Sequence, residues 1–289
     1  MTATGSVIGV RGGLSDVATP SWSVARDASA YADAGFAAIG IFLHKLERGQ
    51  MDGFWIPSER IPDGTVSAAV DAVREAGLDV SHLAVAGFFT EPDVAWRIEH
   101  TLHAIDVAAR LDASCLIIAP GRRNGRSYAS TRDHAAAALT EVLSRTPHSH
   151  VRLALEPIVS WQSDYMNTLG EALELAELVD HPNLGVYPDT FHLWETDGFL
   201  DDIGRAGSRI FGFHISDRYV GNDYLRVLPG EGDVDFSAVI RAVEATGYTG
   251  TYDCEHMVEP GEGAPAPDPS AVLRACADAL SRVLSEALS

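Results

Sequence analysis

Cysteine is scarce in this chain: Cys115, Cys254 and Cys276 are the only three, widely spaced and set inside apolar runs. That excludes a disulfide framework and a Cys-based zinc motif, and it points to a reducing, cytoplasmic setting. Basic residues are few as well. Lys and Arg number 21 against 41 Asp and Glu, a formal net charge of −20. Phosphate backbones need clustered Lys and Arg, so nucleic acid is not expected as a partner. The acidic residues form no block and read as solvated surface. No apolar run is long enough to span a membrane, and the opening MTATGSVIGVRGG lacks the charged and apolar parts of a signal peptide. The pattern G-x-G-x-x-G is also absent, which argues against a dinucleotide-binding open sheet.

What is present is an alternation of strand-like and helix-like runs from end to end. SVIGVRGG (6–13), FAAIGIFLH (36–44), DVSHLAVAG (79–87), CLIIAPG (115–121), VRLALEPI (151–158), LGVYPDTFH (184–192), IFGFHISD (210–217) and YTGTYDCEH (248–256) are of strand length. Between them apolar residues recur at helical spacing, as in Val66, Ala69, Val70 and Val73, or Leu169, Leu173, Ala176 and Val179. Eight such units without a break in composition predict a (β/α)8 TIM barrel, α/β in class, with residues 1–289 forming a single domain. The stretch GEGAPAPDP (261–269) reads as the last strand–helix loop.

Four consecutive strands end on metal-ligand residues: Glu156, Asp189, His214 and Glu255. Side chains alternate faces along a strand. With these four turned inward, Arg152, Ala154, Gly185, Tyr187, Gly212, Thr251 and Asp253 face in with them. Leu153, Leu155, Leu184, Val186, Phe211, Phe213, Tyr252 and Cys254 then face the helices. The polar residues sit at the C-terminal strand ends, where barrel active sites lie. Carboxylates buried together need a cation or protons among them. Three carboxylates and one imidazole make a hard, oxygen-rich set suited to Mn²⁺ or Mg²⁺, with Co²⁺ or Zn²⁺ as alternatives. Such an ion can chelate a carbonyl and its neighbouring hydroxyl and acidify the carbon between them. Glu156 and Glu255, from non-adjacent strands, are the natural pair to remove and return that proton.

At these residues the chain resembles the xylose isomerase-like barrel superfamily, the sugar phosphate isomerases and epimerases, and within it the ketose 3-epimerases. The resemblance spans nearly the whole chain. Its specific part is LALEP, D-T-F-H at 189–192, H-I-S-D-R at 214–218 and P-G-E-G-D-V-D-F at 229–236. It implies one divalent metal, usually manganese, on Glu156, Asp189, His214 and Glu255. It implies proton transfer by Glu156 and Glu255, with His192 and Arg218 holding substrate oxygens; His192 could instead orient Asp189. The implied reaction is isomerisation or epimerisation of a carbohydrate-like small molecule, a keto-sugar or keto-polyol, through a metal-bound enediolate. Members are commonly dimers or tetramers, so a homo-oligomer is expected.

The chain departs from the ketose 3-epimerases after the first ligand. Where they carry Asn-Arg-Phe-Glu, it has Val159-Ser160-Trp161-Gln162. Gln162 therefore replaces the Glu that binds near the substrate carbonyl, which keeps open a metal-dependent lyase on the same site, eliminating water or an aglycone from an oxidised sugar. Ile158 stands where dehydroshikimate dehydratases carry a His. Gly230-Glu231-Gly232-Asp233 lacks the Asp-x-His pair of endonuclease IV, and with the acidic surface this excludes DNA repair.

Three further features lie near the expected mouth. Trp161 could wall a sugar ring or pack under a neighbouring loop. Arg122, Arg123 and Arg126 could grip a substrate anion or pair with local acids. The long loop over 45–64, with Met51, Phe54, Trp55 and Ile56, reads as a lid or subunit contact, and His44 beside it as pocket or surface.

Overall fold

Eight parallel strands curl round an axis in the order β6-β5-β4-β3-β2-β1-β8-β7 in the computed structural model, which describes residues 8–48, 60–257 and 267–289. They are β1 (Gly12–Ser15), β2 (Ala38–Phe42), β3 (Asp79–Gly87), β4 (Cys115–Ala119), β5 (Arg152–Leu155), β6 (Leu184–Val186), β7 (Phe213–Ile215) and β8 (Tyr252–Cys254). Parallel bridges Val186–Ile210 and Asp189–His214 link β6 to β7 and close the ring. The helices are α1 (Ile8–Arg11), α2 (Val24–Asp33), α3 (Leu43–Arg48), α4 (Asp63–Ala76), α5 (Val94–Arg110), α6 (Tyr128–Arg145), α7 (Leu169–Val179), α8 (Thr190–Leu193), α9 (Phe199–Ala206), α10 (Phe236–Ala245) and α11 (Pro269–Ala287). The architecture is the (β/α)8 TIM barrel that the alternation predicts.

Local chemistry starts these helices. Ser23, Ser127 and Asp235 each cap the helix that follows by accepting a backbone amide. Thr168 and Glu171 form a reciprocal capping box at α7. The apolar stripes then turn inward: Val66, Ala69 and Val73, or Phe236, Val239, Ile240 and Val243, are buried against the outer face of the barrel.

The alternation along the strands holds where the strands are regular. Leu153, Leu155, Leu184, Val186, Phe213, Ile215, Tyr252 and Cys254 belong to the layer between barrel and helices. Ala154 and Tyr187 belong to the barrel interior, with Phe42, Cys115 and Ile117. Phe211 also lies in that interior, contrary to the alternation, because β7 begins only at Phe213 and the preceding residues do not follow its pleat. The expected first strand over 6–13 is displaced. Residues 8–11 form α1 and the strand begins at Gly12. In the register that β1 adopts, Gly13 lies beside Asp253 of β8, and a Cβ there would come within 2.5 Å of Asp253 Oδ2, so this position needs glycine.

Large interior side chains face glycines throughout. A Cβ on Gly40 would meet the His82 ring at 2.2 Å, and one on Gly212 would meet the Tyr187 ring at 2.1 Å. The barrel is thus a filled core and not a pore. His44 is buried in α3, while Met51, Phe54, Trp55, Ile56 and residues 261–266 of the last loop lie outside the described residues. Cys115, Cys254 and Cys276 are free and buried. Among the described residues no helix is long and apolar enough to cross a membrane.

Candidate metal centre

Glu156, Asp189, His214 and Glu255 each offer a ligand atom, and these atoms all lie within 4.8 Å of one another. They come from the C-terminal ends of β5 to β8. His214 Nδ1 lies 2.9 Å from Glu156 Oε1 and 3.9 Å from Glu255 Oε2. Asp189, His214 and Glu255 are buried, and Glu156 is partly open.

The run Asp189-Thr190-Phe191-His192 builds one wall. Asp189 caps α8, its Oδ1 accepting from Phe191 N at 2.8 Å, which turns Oδ2 toward the cluster. Thr190 ties β6 to β7: its hydroxyl donates to Ser216 O at 2.5 Å and accepts from Ser216 N at 2.9 Å. His192 follows one turn on. Its Nδ1 accepts from Val159 N at 3.4 Å, so the ring proton sits on Nε2, 3.7 Å from Asp189 Oδ2. Burial lowers the His192 pKa to about 3; Asp189 opposes that, and Arg226 reinforces it.

Charge decides what this cluster can hold. Burial opposes a proton on His214, but Glu255, Glu156 and Asp189 outweigh it and raise its pKa to about 10. Burial raises Glu255 to about 7, against the pull of Arg226 and His214. Burial would raise Asp189 too, yet Arg226, His192 and His214 hold it well below the usual carboxylate range. These carboxylates therefore demand positive charge. A dication together with the Arg226 guanidinium would balance three carboxylates, with both imidazoles neutral, so the donor set fits a divalent metal.

Arg226 is the part of the site that sequence reasoning missed. It bridges Asp189 Oδ2 at 2.9 Å and Glu255 Oε2 at 2.6 Å from a loop well beyond the recognisable H-I-S-D-R run. A second group, His82, His214 and Asp253, also lies within 4.8 Å in the layer beneath. It is filled and not open. Asp253 accepts from Ser15 Oγ at 2.5 Å and Ser81 Oγ at 2.7 Å. His82 Nδ1 contacts Tyr187 Oη at 3.0 Å, and its other ring edge packs on Gly40.

Arg218 is buried, with Nη1 2.7 Å from Glu195 Oε2 and its guanidinium carbon 5.7 Å from the Phe191 ring centre. Trp161 is 44% exposed; it stacks on Tyr224 at 5.0 Å and donates from Nε1 to Asp223 O at 2.8 Å, so it braces the loop after β7. Gln162 lines a cleft of about 300 Å³ with Arg122, Asn124, Ser160 and Trp161, and none of the four candidate ligands borders it. Arg122 Nε donates to Gln162 O, Arg123 pairs with Asp164, and Arg126 donates to Thr90 O. All three arginines are thus engaged locally, and of the three Arg122 alone lines this cleft.

Residues 28–276 match the xylose isomerase-like TIM barrel family. An L-ribulose 3-epimerase of Methylomonas sp. (strain DH-1) is 27% identical over 253 residues, covering 84% of this chain and 83% of that protein. A ketose 3-epimerase of Arthrobacter globiformis is 29% identical over 197 residues, 64% of this chain and 66% of that one. The crystal structure of the IOLI protein with a bound zinc atom shares the fold, with a TM-score of 0.78 at 17% identity over 96% of this chain and 99% of that one. Motifs, barrel and sequence matches agree, and the chain belongs to the xylose isomerase-like TIM barrel family.

Proposed function

We propose that the protein is a divalent-metal-dependent epimerase or isomerase of a keto-sugar or keto-polyol. The observation that carries this reading is the convergence of Glu156, Asp189, His214 and Glu255 within 4.8 Å at one end of the barrel. The names of its curated relatives, L-ribulose 3-epimerase and ketose 3-epimerase, support the substrate class. The four residues would hold one metal, manganese first given the oxygen-rich set, with magnesium, cobalt or zinc as alternatives. When bound, it would supply Lewis-acid stabilisation of charge on two neighbouring substrate oxygens.

The rest is done by the chain. Glu156 and Glu255 reach the His214 imidazole from β5 and β8, so they approach a substrate lying there from different sides. One carboxylate takes the proton from the carbon beside the carbonyl, and the electron pair moves into an enediolate. The other, protonated, gives a proton to the opposite face, and the two exchange protonation states. His192 presents Nε2–H as a neutral donor to a substrate oxygen, its tautomer fixed by Val159 N. Arg218 holds a second oxygen. Trp161 and Gln162 contribute at the outer end of the substrate, beside the cleft they line with Arg122.

The test is conversion of a panel of ketopentoses, ketohexoses and keto-polyols by protein dialysed against Mn²⁺. One panel member should yield an isomer of equal mass. Inertness toward the whole panel with metal bound would overturn the reading. The substitution of Ser160 and Gln162 favours one second reading, a lyase, whose product would be lighter by one water or an aglycone.

A further inference from the structure

The loop between β7 and α10 leaves the barrel at Asp217 and returns at Val227, where an antiparallel bridge joins the two, with Val227 N 2.9 Å from Asp217 O. The Asp217 carboxylate accepts from the amides of Arg218, Gly230, Gly232 and Val234 at 2.8, 2.8, 2.9 and 3.2 Å. A Cβ on Gly232 would come within 2.3 Å of Asp217 Oδ1, so the P-G-E-G-D run is the shape that wraps this carboxylate. Both limbs of the loop are fastened in this way. Arg226, one residue before the bridge, is turned back into the barrel mouth and buried.

Its guanidinium meets a prepared set of acceptors. Nη1 donates to Asp189 Oδ2 at 2.9 Å, to Ser216 Oγ and to Glu255 O at 3.2 Å, and Nη2 lies 2.6 Å from Glu255 Oε2. The Phe191 ring centre lies 4.2 Å from its central carbon. Ser216 Oγ in turn donates to Glu255 O at 2.8 Å. Only a planar fork can hold carboxylates from two separate strand ends at once in a fixed geometry.

We infer that Arg226 is a positioning residue that clamps Asp189 and Glu255 and thereby sets the site's affinity for its divalent cation. The inference rests on the metal-site reading above. The rival role is a plain counter-charge that neutralises the carboxylates and repels the cation. The two differ in sign: losing a clamp loosens metal binding, and losing a competing charge tightens it.

The experiment measures Mn²⁺ affinity by equilibrium dialysis, and the electron paramagnetic resonance of bound Mn²⁺, for wild type, Arg226→Met, Arg226→Lys and Ser216→Ala. Cooperative melting of each variant is checked alongside. Arg226→Met should lower affinity by about 10–100-fold, the range for partners that orient metal ligands. Arg226→Lys should recover only part of it, because an ammonium cannot fork. Ser216→Ala keeps every charge and should still weaken binding and broaden the Mn²⁺ signal. Unchanged or tighter binding in Arg226→Met overturns the clamp. If that variant does not fold, wild-type affinity in both Arg226→Lys and Ser216→Ala overturns it. Failure of the wild type itself to bind Mn²⁺ overturns the metal reading, which is a separate result.

Discussion

His214 Nδ1 lies 2.9 Å from Glu156 Oε1, though the two residues are 58 apart in sequence and sit at the ends of β5 and β7. The contact joins a candidate proton-transfer group directly to a candidate ligand. Charge at Glu156, and not its shape, should therefore matter. Glu156→Gln and Glu255→Gln keep the side-chain outline and lose the base, and each is expected to lower turnover by at least about 10²–10⁴-fold. Metal content measured on the same samples should show some metal retained. Near wild-type turnover in either variant would remove it from the mechanism.

Asp217 makes a prediction about stability alone. Truncating it would leave four amides near the barrel mouth without their acceptor. The Arg218 and Val234 amides are buried, and each buried unsatisfied donor costs about 1–3 kcal/mol, so Asp217→Ala should destabilise by at least about 2 kcal/mol in denaturant unfolding. A loss under 1 kcal/mol would mean that water or the relaxed loop replaces the carboxylate.

A buried cluster at the ends of β1 and β2 sets a pH dependence. Lys45 Nζ lies 2.6 Å from Asp27 Oδ2 and donates to Asp16 O at 2.7 Å and Thr19 O at 3.0 Å. One ammonium faces two buried acids. Burial, opposed by Lys45 and reinforced by Asp27, raises Asp16 to about 8; burial, opposed by Lys45, raises Asp27 to about 6. A carboxyl whose folded pKa is raised contributes stability that is full below its unfolded value and is lost as pH rises through the folded one. Melting temperature should fall from pH 5 to pH 9, and Asp16→Asn should flatten the upper part of that fall. A variant whose profile parallels wild type would show that Asp16 ionises freely.

Gly40 tests the filled interior. An alanine there would meet the His82 ring at 2.2 Å, and that ring is itself packed against Tyr187 and His214, with ring centres 5.2 and 4.9 Å away. Overpacking of this kind costs about 1–3 kcal/mol, and calorimetry of Gly40→Ala should show it. Wild-type stability would mean that the interior has slack at this layer.

The barrel was legible because its signals are local and repeated. The strand over 79–87 appears with the bounds its pattern predicts, and the apolar stripes of α4 and α10 are buried as their spacing requires. The four candidate ligands were legible because alternation and position at the strand end both point to one spot. What failed depended on neighbours distant in sequence. The apolar start of 6–13 reads as strand, yet residues 8–11 are helical and β1 begins at Gly12, where it pairs with β8, more than 230 residues on in the chain, with Gly13 beside Asp253. Phe211 precedes the regular part of β7, so the pleat says nothing of it. Nothing near Arg226 marks it as different from Arg218 until Asp217 folds the loop back over the site. Trp161 could be read either way from its position, and its stacking partner Tyr224 comes from another strand's loop.

Hydrogen exchange at the substrate carbon tests the central claim most directly. Protein loaded with Mn²⁺ is incubated in D₂O with the ketose and keto-polyol panel, and products are followed by mass spectrometry and NMR. Proton transfer between Glu156 and Glu255 predicts deuterium at the carbon beside the carbonyl of one substrate, with its skeleton mass otherwise unchanged. Metal-loaded protein that exchanges no hydrogen into any member of the panel would contradict it.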